Sequence, residues 1–144
     1  MSVEALRLSA AALLGLHGLG HILGLFPILG FPLTDEHSSR SWLLTPILGN
    51  FLSSLLQLLI FLAATLSFLG AAMALFNWQI VFVLWQLLSI FGAALSLFGL
   101  VMYPRSFPTL FPNVIGALVV DLGVLAALLW LRWPLALVGL LSPP

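Results

Sequence analysis

The chain has 144 residues, 62% of them hydrophobic and only 6% charged, with a mean hydropathy of +1.26. A soluble domain carries charge on about a quarter of its residues, so this composition excludes a water-covered surface and makes lipid the main solvent of one domain. Four arginines balance four acids, which leaves no basic patch for nucleic acid, and the lack of cysteine removes disulfides, thiol redox chemistry and thiolate metal sites.

A helix that crosses a bilayer needs about 20 apolar residues, each adding about 1.5 Å. Four stretches qualify, over residues 5–29, 51–76, 78–103 and 113–133. They predict an all-α membrane protein, a four-transmembrane-helix antiparallel bundle. Arg7 precedes the first run as it would in a signal peptide. Apolarity continues through Phe31, however, and no small-x-small cleavage site stands out, so the run reads as a retained span.

The first connection, Phe31 to Asn50, holds Asp35, Glu36, His37 and Arg40. Thr34 before two acids is a helix-start signal, which predicts a short interfacial helix over 35–44 with Trp42 at headgroup level and His37 solvated. Asn77 and its neighbours form a tight turn between spans two and three, making those helices antiparallel neighbours. Pro104, Pro108 and Pro112 forbid a continuous helix between spans three and four. Trp78, Tyr103, Trp130 and Trp133 fall at span ends, where an aromatic belt is expected, and Trp85 reads as a packing residue. The apolar tail 135–141 is about 10 Å long as a helix, too short to cross. Arg7 and Arg132 lie at one end of the spans and Arg40 and Arg105 at the other, so charge gives no orientation.

Helices in lipid associate through close packing of small residues, because lipid tails are as apolar as leucine. Each span supplies a stripe of such residues: Ser53, Gln57, Ala64, Ser67 and Ala71 in span two, Ser89, Ala93 and Ser96 in span three, Gly116 and Gly123 in span four. Span one is richest, with Gly15, Gly18 and a Gly20–Gly24 GxxxG pair.

Ionisable residues at mid-membrane are costly and are expected to face the bundle. His17 lies ten residues beyond Arg7, about 15 Å in, and Asp121 lies eleven residues before Arg132, about 16 Å in. The two helices run in opposite directions and reach a similar depth. His17 and His21 are about 40° apart on one helix face. A buried His–Asp contact between spans one and four is therefore expected, either as a proton-handling or ligand-binding centre or as a polar lock on helix register. Arg7, Gln86 and Ser89 complete the candidate set. HxxxH can bind zinc but lacks the glutamate of a metalloprotease motif, and the third ligand would have to be Asp121; no metal is assigned. Haem held by two histidines usually draws them from different helices, and no other span has a histidine, which leaves single-histidine ligation of haem or a chlorin.

Arg7 followed by the glycine-rich HGLGH segment and three further short spans resembles the DoxX-like family of small bacterial four-helix membrane proteins. An even number of spans puts both termini on one side, and the resemblance implies a bacterial cell membrane and an accessory or subunit role in a redox-linked membrane complex, with a quinone as the lipid-like ligand. It carries over no catalytic residue, and the missing cysteine separates this chain from thiol-active relatives. The rival expectations are a small transporter or proton conductor using the same residues, or a purely structural subunit, alone or as a homo-oligomer. Four short spans with no broken-helix repeat leave little room for alternating access.

Overall fold

A computed structural model describes residues 2–76 and 82–131, with the side chains of residues 82 and 83 excepted. It is an all-α membrane bundle of four helices long and apolar enough to span a bilayer. Helix α1 (Val3–Gly20) begins at Ser2, whose hydroxyl accepts the Ala5 N–H, and tightens into a 3-10 segment, His21–Leu25. Pro27 explains the tightening, because it has no N–H for the Leu23 carbonyl and its ring crowds that turn. Helix α2 (Leu44–Phe76) is broken at Gly49, where φ is 77°. That left-handed conformation suits glycine, and the continuous span follows it. Helix α3 is Phe82–Met102, and α4 is Ile115–Leu125, flanked by π-helical turns at Leu110–Val114 and Ala126–Trp130.

The predicted interfacial helix over 35–44 is not formed: these residues make turns and extended chain up to Leu44. His37, expected to be solvated, is buried. Its Nδ1 accepts the Leu33 N–H at 3.1 Å and its Nε2–H donates to the Ser106 carbonyl at 2.8 Å. The Ser38 N–H donates to the Arg105 carbonyl, so the first and third connections are stitched together. Trp42 is exposed, and its indole N–H caps the carbonyl of Val101 at the end of α3. Tyr103 is no belt residue. It is fully buried and donates to the Ser53 carbonyl at 2.6 Å. Trp130 is exposed and Trp85 buried, as expected. The Asn77 turn, Trp78, Arg132, Trp133 and the tail 135–141 lie outside the described residues.

Contacts set the topology. Gly15 meets Ala72, Gly18 meets Phe68 and Gly24 meets Phe61, so α1 and α2 are antiparallel. Gly92 meets Phe68 and Gly99 meets Ile60 and Phe61, so α2 and α3 are antiparallel too. Helix α2 packs broadly on both α1 and α3, α3 packs on α4, and α1 and α4 meet only sparsely. The buried apolar side chains form two clusters. Ala11, Leu14, Phe68, Ala71, Leu75, Trp85 and Ala93 fill one end of the bundle. Ile60, Phe61, Leu100, Tyr103, Phe107 and Ala117 fill the other.

Of the GxxxG pair only Gly24 lies in the α1–α2 seam, against the Phe61 ring, and the closest approach is at Gly18. A Cβ on Gly18 would lie 2.9 Å from the Phe68 Cβ and 3.2 Å from the Thr65 carbonyl oxygen, whereas one on Gly20 would meet nothing within 4 Å. Backbone against backbone cannot yield as a flexible side chain can. Gly18→Ala is therefore expected to destabilise the bundle by about 1–3 kcal/mol, and Gly20→Ala to leave it unchanged. Thermal unfolding of the two variants in one detergent checks the contrast, and equal midpoints would contradict it.

Candidate buried polar centre

Between the two apolar clusters lies a polar layer built from three helices. His17 Nε2 and Asp121 Oδ1 are 2.7 Å apart, with side-chain exposures of 8% and 0%. The contact expected between spans one and four is present. The second carboxylate oxygen of Asp121 accepts the Ser96 hydroxyl from α3. Both oxygens of the buried carboxylate therefore have donors, which is what keeps a carboxylate tolerable away from water.

His21, one turn beyond His17, sits differently. It is 1% exposed, and neither of its ring nitrogens has a hydrogen-bond partner from the protein. Its ring stacks on Phe68 (centroids 5.7 Å, planes 18° apart) and Phe61 (6.0 Å, 24°), with Phe107 edge-on at 6.0 Å and the His17 ring edge-on at 4.7 Å. Phe68 also meets His17 edge-on at 4.6 Å. The aromatic box fixes the plane of His21 while leaving its polar edge unmet, and an unmet buried polar group costs about 1–3 kcal/mol. Ligand atoms of His17, His21 and Asp121 all lie within 4.8 Å of one another.

The sparse α1–α4 contact leaves an apolar cleft on either side of the His17–Asp121 bridge. One cavity, about 300 Å³, is lined by His17, Gly20, His21, Phe107, Asn113 and Gly116 among others. The other, about 510 Å³, lies between Leu13, Leu14, Trp85, Ser89, Gly123 and Ala127. Glycine makes this room: a Cβ on Gly20, Gly116 or Gly123 would touch nothing within 4 Å.

The remaining candidates are not at the centre. Ser89 is buried, donates to the Trp85 carbonyl one turn back at 2.7 Å, and lines only the second cavity. Gln86 is half-buried and lines neither of these cavities. Arg7 pairs with Glu4 near the start of α1. Ser96 belongs to the centre although only its place in the α3 stripe marks it in the sequence. The phenylalanines of the box carry no sequence signal beyond apolarity. Gln57, in the α2 stripe, donates to the Gly24 carbonyl at 2.9 Å, supporting the tightened turn that holds His21. No family model, curated protein or solved structure matches this chain.

Proposed function

We propose that the chain is a small subunit or accessory of a bacterial cell-membrane complex, DoxX-like in kind, with both termini on one side. Its cleft takes a quinone headgroup from the lipid phase. One observation carries the reading: His21, whose two ring nitrogens are enclosed without a partner, is among the residues that line a mostly apolar cavity between α1 and α4. A quinone is a flat apolar ring with carbonyl acceptors at its two ends and an apolar tail. Phe107, the one ring of the box that lines the cavity, suits the quinone ring; the Asn113 carboxamide is a donor on the cavity wall, and the His21 ring N–H, enclosed just behind that wall, is the second. At about 300 Å³ the cavity falls at the small end of ligand pockets. That size suits a headgroup whose tail stays in lipid. His17, pinned by Asp121, orders the wall beside His21.

The test is binding of a decyl-substituted benzoquinone to the protein in detergent, read by quenching of tryptophan fluorescence against empty micelles. Gly116→Leu fills the cavity from a position with open space around it, and His21→Phe keeps the box but removes the donor. Each is expected to weaken binding at least tenfold. Binding no tighter than partition into micelles, or unchanged by Gly116→Leu, overturns the quinone reading. Proton flux in liposomes that vanishes with Asp121→Asn, without quinone binding, would replace it by proton conduction.

A further inference from the structure

We infer that His17, His21 and Asp121 form a binding site for a divalent first-row metal ion, with a fourth position open toward the smaller cavity. The inference goes beyond the quinone reading and is tested without any quinone.

The donor set comes first. Two imidazoles four residues apart on one helical run and one carboxylate from an antiparallel helix make a two-histidine, one-carboxylate triad. Such triads hold zinc in open sites and ferrous iron in oxygen chemistry, while calcium and magnesium prefer oxygen ligands alone. The sequence reading of HxxxH fails for want of a third ligand unless Asp121 supplies it. Asp121 is there, within 4.8 Å of both histidines.

His21 supplies the second, independent observation. At 1% exposure, with both nitrogens unpartnered, it is a buried polar ring held in a fixed plane by Phe61, Phe68 and Phe107. Were the triad only a lock between helices, His17 and Asp121 would suffice, and a phenylalanine would fill the box better than His21 does. A metal ion gives His21 a partner that an apolar environment cannot.

Support behind the ligands is also present. Metal-binding carboxylates are usually held by a hydrogen bond to their other oxygen, and the Ser96 hydroxyl makes that bond here. Loading asks for an adjustment at all three ligands. Ligands around a tetrahedral ion at about 2.0–2.1 Å stand roughly 3.3 Å apart, so His17 Nε2 and Asp121 Oδ1, 2.7 Å apart, open slightly, and the wider separations of the triad, within 4.8 Å, close by up to about 1.5 Å. Loading exchanges that hydrogen bond for two metal–ligand bonds, with the His17 proton on Nδ1. One carboxylate against a doubly charged ion leaves one positive charge in a buried layer enclosed by apolar clusters. That charge selects an anionic fourth ligand, entering from the cavity bounded by Gly20 and Gly116.

The experiment uses the full chain in detergent, stripped with chelator, dialysed and titrated with cobalt(II), whose visible absorption reports four-coordinate binding. Zinc is then added as competitor. The expected result is one cobalt per chain, displaced by zinc, with a rise in thermal midpoint on loading. His21→Phe is expected to raise the apo midpoint, because its ring fits the box without an unmet polar edge, and to weaken cobalt binding at least 100-fold. Ser96→Ala is expected to weaken it by 10–100-fold. Substoichiometric, zinc-insensitive absorption, or cobalt affinity unchanged by His21→Phe, overturns the site. Cobalt bound without quinone binding leaves this inference standing and removes the earlier one, and the reverse result removes only this one.

Discussion

Asp121→Ala is expected to destabilise the folded bundle by about 3 kcal/mol relative to a denatured state that remains in detergent or lipid. The substitution leaves two donors, the His17 imidazole N–H and the Ser96 hydroxyl, facing an apolar gap. Hydrogen bonds between membrane helices average only about 0.6 kcal/mol, because the denatured chain finds other partners. Two features place this site above that average: the acceptor is a carboxylate, and it is wholly enclosed. The insertion penalty of a mid-membrane carboxylate, about 2.5–3.5 kcal/mol, does not offset the loss, since folded and denatured states both carry it while both stay in the membrane. Asp121→Asn keeps an acceptor for either donor and should lose about 1 kcal/mol. The triple variant Asp121→Leu, His17→Leu, Ser96→Ala should recover most of what Asp121→Ala loses, because replacing a whole buried polar group by apolar residues is often neutral. Reversible unfolding in mixed micelles checks all three. A triple variant as unstable as Asp121→Ala would mean that packing, and not polar satisfaction, sets the value of this position.

The His17–Asp121 contact is legible in the sequence because depth in a membrane is nearly one-dimensional. Counting 1.5 Å per residue from the charged ends of two antiparallel helices leaves Asp121 few places to go other than the histidine face. The third member of the layer is not legible in that way. Ser89 and Ser96 lie two turns apart on the same α3 stripe, and which one reaches Asp121 depends on the axial offset of α3, a quantity that side-chain interdigitation fixes. Ser89 is used within its own helix, bonding the Trp85 carbonyl, and Ser96 reaches across. The glycines teach a similar lesson. GxxxG spacing is visible at Gly20–Gly24, but Gly20 lies about 200° round the helix from Gly18 and faces the cleft, so of the pair only Gly24 meets α2, at the Phe61 ring, while Gly18 takes the backbone approach.

The first connection shows where local signals lose to distant ones. Thr34, Asp35 and Glu36 have the chemistry of a helix start. His37 and Ser38 are instead drawn into bonds with Ser106 and Arg105 on the third connection, and such side-chain and backbone bonds compete with helix formation. These partners lie about seventy residues away in sequence, beyond the reach of any window. Tyr103 follows the same pattern. Its place before Pro104 suggests an interface anchor, whereas the Ser53 carbonyl, near the start of the α2 span, draws it inside.

Phe68 is the position where fold and site are least separable. Its ring lies on His21, meets His17 edge-on and packs against Gly92, and its Cβ sits under Gly18. In a water-soluble protein, Phe→Ala in the core costs about 3–5 kcal/mol, the sum of a transfer term and a cavity term. Within lipid the transfer term all but disappears, because the denatured side chain is also in hydrocarbon. What remains is the void, roughly 100 Å³ at about 24 cal/mol per Å³, or about 2.4 kcal/mol. Phe68→Ala is therefore expected to destabilise by about 2–3 kcal/mol, and Phe68→Leu by about half as much. The two variants should also separate in their effect on the site. With the stacking partner gone, the His21 ring is free to turn, so Phe68→Ala should weaken binding of the decyl benzoquinone or of cobalt(II) at temperatures where the bundle is still folded. Phe68→Leu, which restores bulk but not the flat face, should weaken binding to a similar degree while regaining stability. Ligand affinity that tracks stability across both variants would instead make Phe68 a packing residue whose contact with the histidines is incidental.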